Sequence, residues 1–107
     1  MTTDQFTQIA LTFPNVITTS HFDRIAFKVI GERIFATLHE ETKTANVKFL
    51  PADQSVYCLI NKEAIYPVNN KWGLQGWTTF NLANVDQELM LDALHTAYQD
   101  VFKSKKK

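Results

Sequence analysis

The chain has 107 residues, of which 45% are hydrophobic and 21% charged, and its formal net charge is zero. This length and composition predict one globular domain over 1–107 and exclude a disordered chain. Zero net charge excludes a global attraction to nucleic acid or to an anionic membrane, so any such attraction must be local. The single cysteine, Cys58, excludes an internal disulfide. Neither a signal-peptide pattern nor a long apolar run is found, which predicts a cytoplasmic protein without membrane association.

The N-terminal part of the chain predicts a helix followed by a connection. Apolar residues recur at helical spacing from Phe6 to Phe13, and Pro14 disfavours helical backbone for the residue before it. We therefore expect the first helix over about 3–13. Residues 15–24 are interpreted as the connection that leads to the first strand.

A three-stranded antiparallel meander is expected after this connection. A two-residue turn at 31–32 and a polar turn at 40–43 join its strands and set one register. On the other sheet face of this register, Lys28, Phe35 and Lys48 form a row across the three strands. The face toward the core is apolar and comprises Ile25, Phe27, Val29, Ile34, Ala36, Leu38, Ala45, Val47 and Phe49.

A second helix is predicted over about 51–62, because Pro51 suits the first turn of a helix. Its buried stripe is expected to consist of Val56, Leu59 and Ile60. The segment 65–68 that follows is short and extended. Pro67 cannot donate a backbone hydrogen bond, so this segment is expected at a sheet edge or in a loop.

The chain places both tryptophans and two of its three glycines within 71–82. We expect a loop at 71–76 that leads into a strand at 77–82, in which alternate residues face the core. A last helix, capped by Asn84, is expected to run to about Phe102. Together these elements predict an α+β fold: a two-layer sandwich of an antiparallel sheet with helices packed on one face.

Several short motifs of the chain are typical of one protein family. They are Leu11-Thr12-Phe13-Pro14, His21-Phe22, Ala26-Phe27-Lys28-Val29 with Gly31, Ile34 to Leu38 with Val47-Lys48-Phe49, and Trp72-Gly73 with Gly76-Trp77-Thr78-Thr79. On these motifs, nearly the whole chain resembles the MmcQ/YjbR family of small bacterial proteins. The resemblance implies a frataxin-like or double-wing fold, and it implies DNA binding, a function suggested for the family from fold analogy. One departure is Leu50, where a capping Asp would be usual.

The open sheet face and the tryptophan loop contain the candidate binding residues. Cations interleaved with aromatic rings suit nucleic acid, because cations neutralise phosphates and rings stack on bases. The candidates are Lys28, Arg33, Phe35, Lys48, Lys71, Trp72, Gln75 and Trp77. Double-stranded DNA is therefore an expected partner, and it would require a continuous positive patch that reaches the C-terminal lysines.

Two alternatives apply to the same residues. The first is a protein or small-ligand module, which would have an enclosed pocket with few charges, lined by His21, Phe35, Trp72 and Trp77. The second is a small two-sided sheet on which lysine stems cover aromatic rings, with Trp72 closing the core edge.

No pattern for catalysis or metal binding is found in the sequence. The histidines, His21, His39 and His95, lack a second ligand at a metal-binding spacing. The first helix carries only Asp4, so an acidic ridge for iron is not expected. We find no phosphate loop, nucleophile elbow or readable carboxylate pair. The sequence therefore predicts a monomeric, non-enzymatic binding protein with no metal and no cofactor.

Overall fold

The structure is a computed structural model that describes residues 1–103, apart from the side chain of His21. The C-terminal lysines at 105–107, expected to extend a positive patch, lie outside the described residues. The helices are α1 (Thr3–Ala10), α2 (Pro51–Ile60), α3 (Lys71–Leu74) and α4 (Gln87–Lys103), and a 3-10 helix spans Leu82–Asn84. The strands are β1 (Val16–His21), β2 (Arg24–Val29), β3 (Ile34–His39), β4 (Thr44–Lys48), β5 (Ile65–Pro67) and β6 (Trp77–Asn81).

All six strands form one antiparallel sheet in the order β1-β2-β3-β4-β6-β5. The helices lie on one face of this sheet, so the predicted two-layer α+β sandwich is confirmed. The opposite face is open. Pro67 lies in the edge strand β5, as its missing backbone donor predicted. No helix within 1–103 has the length and apolar character needed to cross a membrane.

The expected connection over 15–24 is wrong, because most of it forms strand β1. This strand pairs with β2 along its whole length, from Val16 opposite Val29 to His21 opposite Arg24. A two-residue turn joins the pair, and Phe22 has a positive φ of 58° there. The β-branched residues of 16–19 favour an extended backbone, and the neighbouring strand supplies the hydrogen bonds.

The predicted register of the β2–β3 hairpin holds only in part. Phe27 lies opposite Ala36, as expected, but the next pair is Lys28 opposite Ile34. Phe35 is therefore an extra residue of β3, that is, a β-bulge. The connection between the two strands is longer than the two-residue turn that we predicted.

The bulge exchanges the faces of Ile34 and Phe35. Phe35 is fully buried, and its ring meets that of Tyr98 on α4 edge-on, with ring centroids 6.0 Å apart. Ile34, expected in the core, lines a pocket on the open face instead. The predicted surface row that combined Phe35 with Lys28 and Lys48 is therefore wrong, because side-chain direction alternates and one inserted residue reverses it.

Helix α2 also packs differently from the prediction. The expected buried stripe of Val56, Leu59 and Ile60 is wrong, since each of these side chains is more than half exposed. Tyr57 is the buried residue, and its ring stacks on that of Phe49 with centroids 4.8 Å apart. A short helix with apolar residues on several sides can bury more than one of its faces. In this fold, the face that contains Tyr57 packs against the sheet instead of the predicted one.

Two helix boundaries differ from the prediction. Helix α1 ends at Ala10, three residues earlier than expected. Helix α4 begins at Gln87, where Asp86 Oδ1 accepts a hydrogen bond from the backbone N–H of Leu89 at 2.8 Å. Asn84 belongs to the preceding 3-10 helix, so the prediction that it caps α4 is wrong.

Candidate functional site

The open sheet face contains a concave pocket of about 360 Å³. Its lining residues are Arg24, Ile34, Thr37, Asn46, Val68, Trp72 and Trp77. Small-molecule sites usually have volumes of roughly 300–1,000 Å³ and combine apolar walls with a small number of polar groups. The pocket is at the lower end of that range and has this composition.

Strand register brings the polar lining residues together. Thr37 lies between Ala26 and Asn46 in the neighbouring strands, so these three residues share the open face. Arg24 is two residues from Ala26 and therefore points to the same side. Asn46 Oδ1 accepts a hydrogen bond from Thr79 Oγ1 at 2.8 Å, which leaves its Nδ2 group as a donor.

The segment predicted as a loop at 71–76 includes the short helix α3. Asn70 Oδ1 accepts a hydrogen bond from the backbone N–H of Trp72 at 2.8 Å and so begins the helix. Trp72 is 50% exposed at the pocket, whereas Trp77 in β6 is less exposed and lines the same pocket. The prediction that the tryptophan-bearing segment leads into a strand is confirmed.

Glycines allow α3 to approach the sheet closely. A Cβ on Gly73 would lie 2.1 Å from the carbonyl oxygen of Val68, and a Cβ on Gly76 would lie 1.8 Å from that of Phe49. Gly76 also has a φ of 109°, which L-residues rarely adopt. No other residue could stand at either position without moving α3, and Trp72 with it.

Gln54 of α2 joins the two segments that carry the tryptophans. Its Nε2 donates to the carbonyl oxygen of Gly73 at 2.9 Å and to that of Trp77 at 3.1 Å. A side chain from the helical layer thus reaches both α3 and β6. This connection fixes the position of α3 relative to the strand that bears Trp77.

Arg24 is the unusual member of the pocket. Its Nη1 atom is buried and has no hydrogen-bond partner among the described residues. The guanidinium group stays charged at every physiological pH and has five N–H donors, so a buried unpaired nitrogen has a free-energy cost. None of the lining residues that the structure describes carries a carboxylate.

The carboxylate next to Arg24 in sequence already has a partner. Asp23 Oδ2 accepts a hydrogen bond from His39 Nε2 at 2.8 Å. The backbone N–H of Thr42 donates to His39 Nδ1, which leaves the proton of the neutral ring on Nε2. The hydrogen bond from His39 is the main cause that lowers the pKa of Asp23, and the charge of Arg24 contributes least. Asp23 is therefore ionised and held by His39.

The other candidate residues of the sequence are dispersed. Lys28 is half-buried in β2, whereas Arg33, Lys71 and Gln75 are exposed outside the pocket lining. Phe35 lies in the core, so its prediction as a surface contact is wrong. For His21, the structure describes the backbone in β1 and leaves the side chain outside the described part.

Lys48 is less available to a ligand than the sequence suggested. Its Nζ donates to the carbonyl oxygen of Phe49 at 3.2 Å, and the side chain is half-buried. Burial is the main cause that lowers the pKa of Lys48, and the positive charge of Arg33 adds to it. The hydrogen bond to Phe49 and the partial burial of the side chain leave its Nζ less accessible to a phosphate.

Arg24 is not among the residues that the sequence predicts for the site, because residues 15–24 are expected to form a connection. The pairing of Thr37 with Asn46 on the open face follows from the predicted register of β3 and β4, which is confirmed. Recognition of the β-branched run at 16–19 as a strand could have placed Arg24 at the start of its partner strand. Within 1–103, no group of three or more His, Cys, Asp or Glu side chains is placed to hold a metal ion.

Comparison with known proteins adds two findings. The family model of YjbR matches residues 11–100. The fold is similar to the crystal structure of Deinococcus radiodurans protein DR2400, which has a DUF419 domain. The TM-score is 0.82 at 22% sequence identity, and the match covers 99% of this chain and 82% of that chain. Among curated proteins, none matches this sequence.

Proposed function

This chain belongs to the YjbR family, and we propose that it is a non-enzymatic binding protein that takes a small ligand in the pocket of Trp72 and Trp77. The observation that supports the proposal is a pocket whose described lining has two indole rings and one charged side chain, that of Arg24. A ligand acceptor that bonds to the guanidinium group gains a charge-assisted hydrogen bond in a site with apolar walls. The site therefore gains free energy from a bound acceptor.

The absence of a reactive pair in the pocket supports a binding role over catalysis. Thr37 supplies the one hydroxyl among the described lining residues, and no histidine or carboxylate of that set accompanies it. A hydroxyl nucleophile needs an adjacent base to react. We also propose a cytoplasmic monomer, since a single free cysteine, Cys58, suits a reducing compartment.

Double-stranded DNA is the second candidate partner, supported by the exposure of Lys71 and Gln75 on either side of the half-exposed Trp72. The proposal of a small ligand has stronger support. Lys48 is half-buried with its Nζ on a backbone carbonyl, and Phe35 is unavailable for stacking, so the basic and aromatic face for DNA loses two members. Among the positively charged side chains within 1–103, Arg24 is the one that lines the pocket.

Two-dimensional NMR of the tryptophan indole N–H groups tests the small-ligand proposal. We expect members of a library of small ring compounds to shift both indole signals, because Trp72 and Trp77 line one pocket. Trp72→Ala should weaken these hits. Leu74→Ala, which removes an 84% exposed side chain of the same helix, is the matched control and should leave them unchanged. A folded protein whose indole signals respond to no compound would contradict the proposal.

Binding of a short fluorescent duplex at two salt concentrations tests the DNA candidate. Several phosphate contacts would reduce affinity on the order of 10-fold or more between about 50 mM and about 200 mM salt. That result, together with a loss of binding in Lys71→Ala, would support the second candidate. Absence of binding at the lower salt concentration would reject it.

A further inference from the structure

We infer that the ligand of this pocket is a planar ring that carries one anionic group, a carboxylate or a phosphate, with the anion on Arg24. The inference rests on the proposed function and adds the chemical class of the ligand. It depends on the charge, the shape and the polar groups of the pocket, which point to the same class.

The charge of the pocket favours an anion. Arg24 is the only ionisable residue among the described lining residues, and none of its described neighbours in the lining carries a negative charge. Asp23, the adjacent carboxylate, is held by His39 and does not line the pocket. A guanidinium group matches the two oxygens of a carboxylate or phosphate through parallel N–H donors. An anion in the pocket would therefore neutralise the one charge among the described lining residues.

The apolar walls favour a flat group. Trp72 and Trp77 present two indole surfaces, and Ile34 and Val68 supply aliphatic ones. Aromatic rings gain from stacked or edge-on contact with indoles beyond their buried area. A pocket of about 360 Å³ limits the ligand to one compact group. A ring therefore fits these walls better than a flexible chain, which would lose more conformational entropy on binding.

The neutral polar side chains of the pocket can orient a ligand through hydrogen bonds. Thr37 has a hydroxyl, and Asn46 keeps its Nδ2 donor after Thr79 has bonded to its oxygen. Such neutral groups can hydrogen-bond to heteroatoms of a ring. They add specificity at a modest net free energy, so the difference between related ligands should depend chiefly on Arg24.

Matched pairs of probes test the inference. The pairs are benzoate with benzamide, and adenosine monophosphate with adenosine, and each probe is titrated by NMR of the two indole signals. We expect the anionic member of at least one pair to bind about 10-fold more tightly or better, the effect of a charged hydrogen bond. Preference within the first pair identifies a carboxylate ligand, and preference within the second pair identifies a phosphate ligand.

Two variants establish whether Arg24 causes the preference. Arg24→Gln should reduce the preference for the anion to about 3-fold or less, since the neutral amide keeps a donor and loses the charge. Arg33→Gln, which changes an exposed arginine outside the lining, is the control and should keep the full preference. Retention of the preference in Arg24→Gln would overturn the inference.

The outcomes separate the inference from the proposed function. If the neutral and anionic probes shift both indole signals with equal affinity, the pocket binds small ligands and the inference about the anion is wrong. If no probe of either pair, and no compound of the library, shifts these signals in the folded protein, the proposed function fails and the inference fails with it.

Discussion

Asp100 of α4 caps the start of α2, fifty residues away in sequence, by accepting a hydrogen bond from the backbone N–H of Leu50 at 3.0 Å. Leu50 is the N-cap residue and has no side chain that could accept such a bond. The carboxylate therefore comes from another helix, where it satisfies an orphan donor and faces the positive end of the α2 dipole. This relationship explains how α2 can begin at Leu50, a residue with no capping side chain.

Removal of this cap should destabilise the protein. Asp100 is 1% exposed, so Asp100→Ala leaves a buried backbone N–H without a partner and should lower the free energy of unfolding by about 1–3 kcal/mol. Asp100→Asn keeps a carbonyl acceptor and should cost less. Urea unfolding measures both variants, with Glu41→Ala in an exposed turn as the control. Equal stability of Asp100→Ala and the wild type would contradict the role of the cap.

The same carboxyl predicts a dependence of stability on pH. Burial raises the pKa of Asp100 above its ordinary value of 3.8, the hydrogen bond from Leu50 opposes this, and Asp53 raises it again. The folded protein therefore binds the proton of the Asp100 carboxyl group more tightly than the unfolded chain does. The resulting stability is present below pH 3.8 and is lost as the pH rises from 3.8 through the raised pKa. In urea unfolding, the free energy of unfolding of the wild type should fall relative to that of Asp100→Asn as the pH rises across that window. If the difference in unfolding free energy between the wild type and Asp100→Asn does not change with pH, the raised pKa of Asp100 is wrong.

Tyr57 should ionise at a higher pH than an ordinary tyrosine. Burial, and then its hydrogen bond to the Asp92 carboxylate, raises the pKa of Tyr57 from 10.0 to about 12. An ultraviolet titration should lose its last step in Tyr57→Phe and keep it in Tyr66→Phe, where the ring is exposed. The stability due to this phenol is present below pH 10.0 and is lost as the pH rises toward about 12. Near neutral pH, Tyr57→Phe should cost about 1–2 kcal/mol, since it leaves the Asp92 carboxylate and the Thr96 hydroxyl without this partner.

Two glycines with positive φ should differ in their response to alanine. Gly31 has a φ of 80° with open space at the Cβ position, so Gly31→Ala should cost about 1–2 kcal/mol from backbone strain alone. Gly76 has a φ of 109° and a backbone carbonyl 1.8 Å from that position, so Gly76→Ala should cost about 3 kcal/mol or more. Urea unfolding compares the two variants. Similar costs would show that the close approach of Gly76 to the carbonyl oxygen of Phe49 is wrong.

Gln54 should matter to the binding site as well as to stability. Gln54→Ala removes two hydrogen bonds to the segments of Trp72 and Trp77, and should lower the free energy of unfolding by about 1 kcal/mol. It should also weaken the binding of any compound that shifts the two indole signals, because α3 is less firmly placed. Ser55→Ala, in the next position of the same helix, is the control and should leave ligand affinity unchanged. If Gln54→Ala binds these compounds as tightly as the wild type does, Gln54 does not position the binding site.

The candidate site could be predicted only in part from the sequence. Trp72 and Trp77 were recognised as binding candidates from their type and spacing, and Thr37 was placed opposite Asn46 by a register that local turns define. Arg24 could not be recognised as the cation of a pocket, because the other lining residues come from strands and a helix distant in sequence. The position of Trp72 at the pocket likewise depends on the close approach of Gly73 to Val68 and of Gly76 to Phe49.

By itself, the sequence determined the features that depend on neighbouring residues. These are the alternation in β6, the edge position of Pro67, the turn between β3 and β4, and the motifs that identify the family. Only the tertiary structure decided that a bulge turns Phe35 into the core, that α2 buries Tyr57, and that Asp100 caps α2. Each of these depends on which surface a second element offers, and the free energy of such contacts is not encoded in the local pattern of either segment.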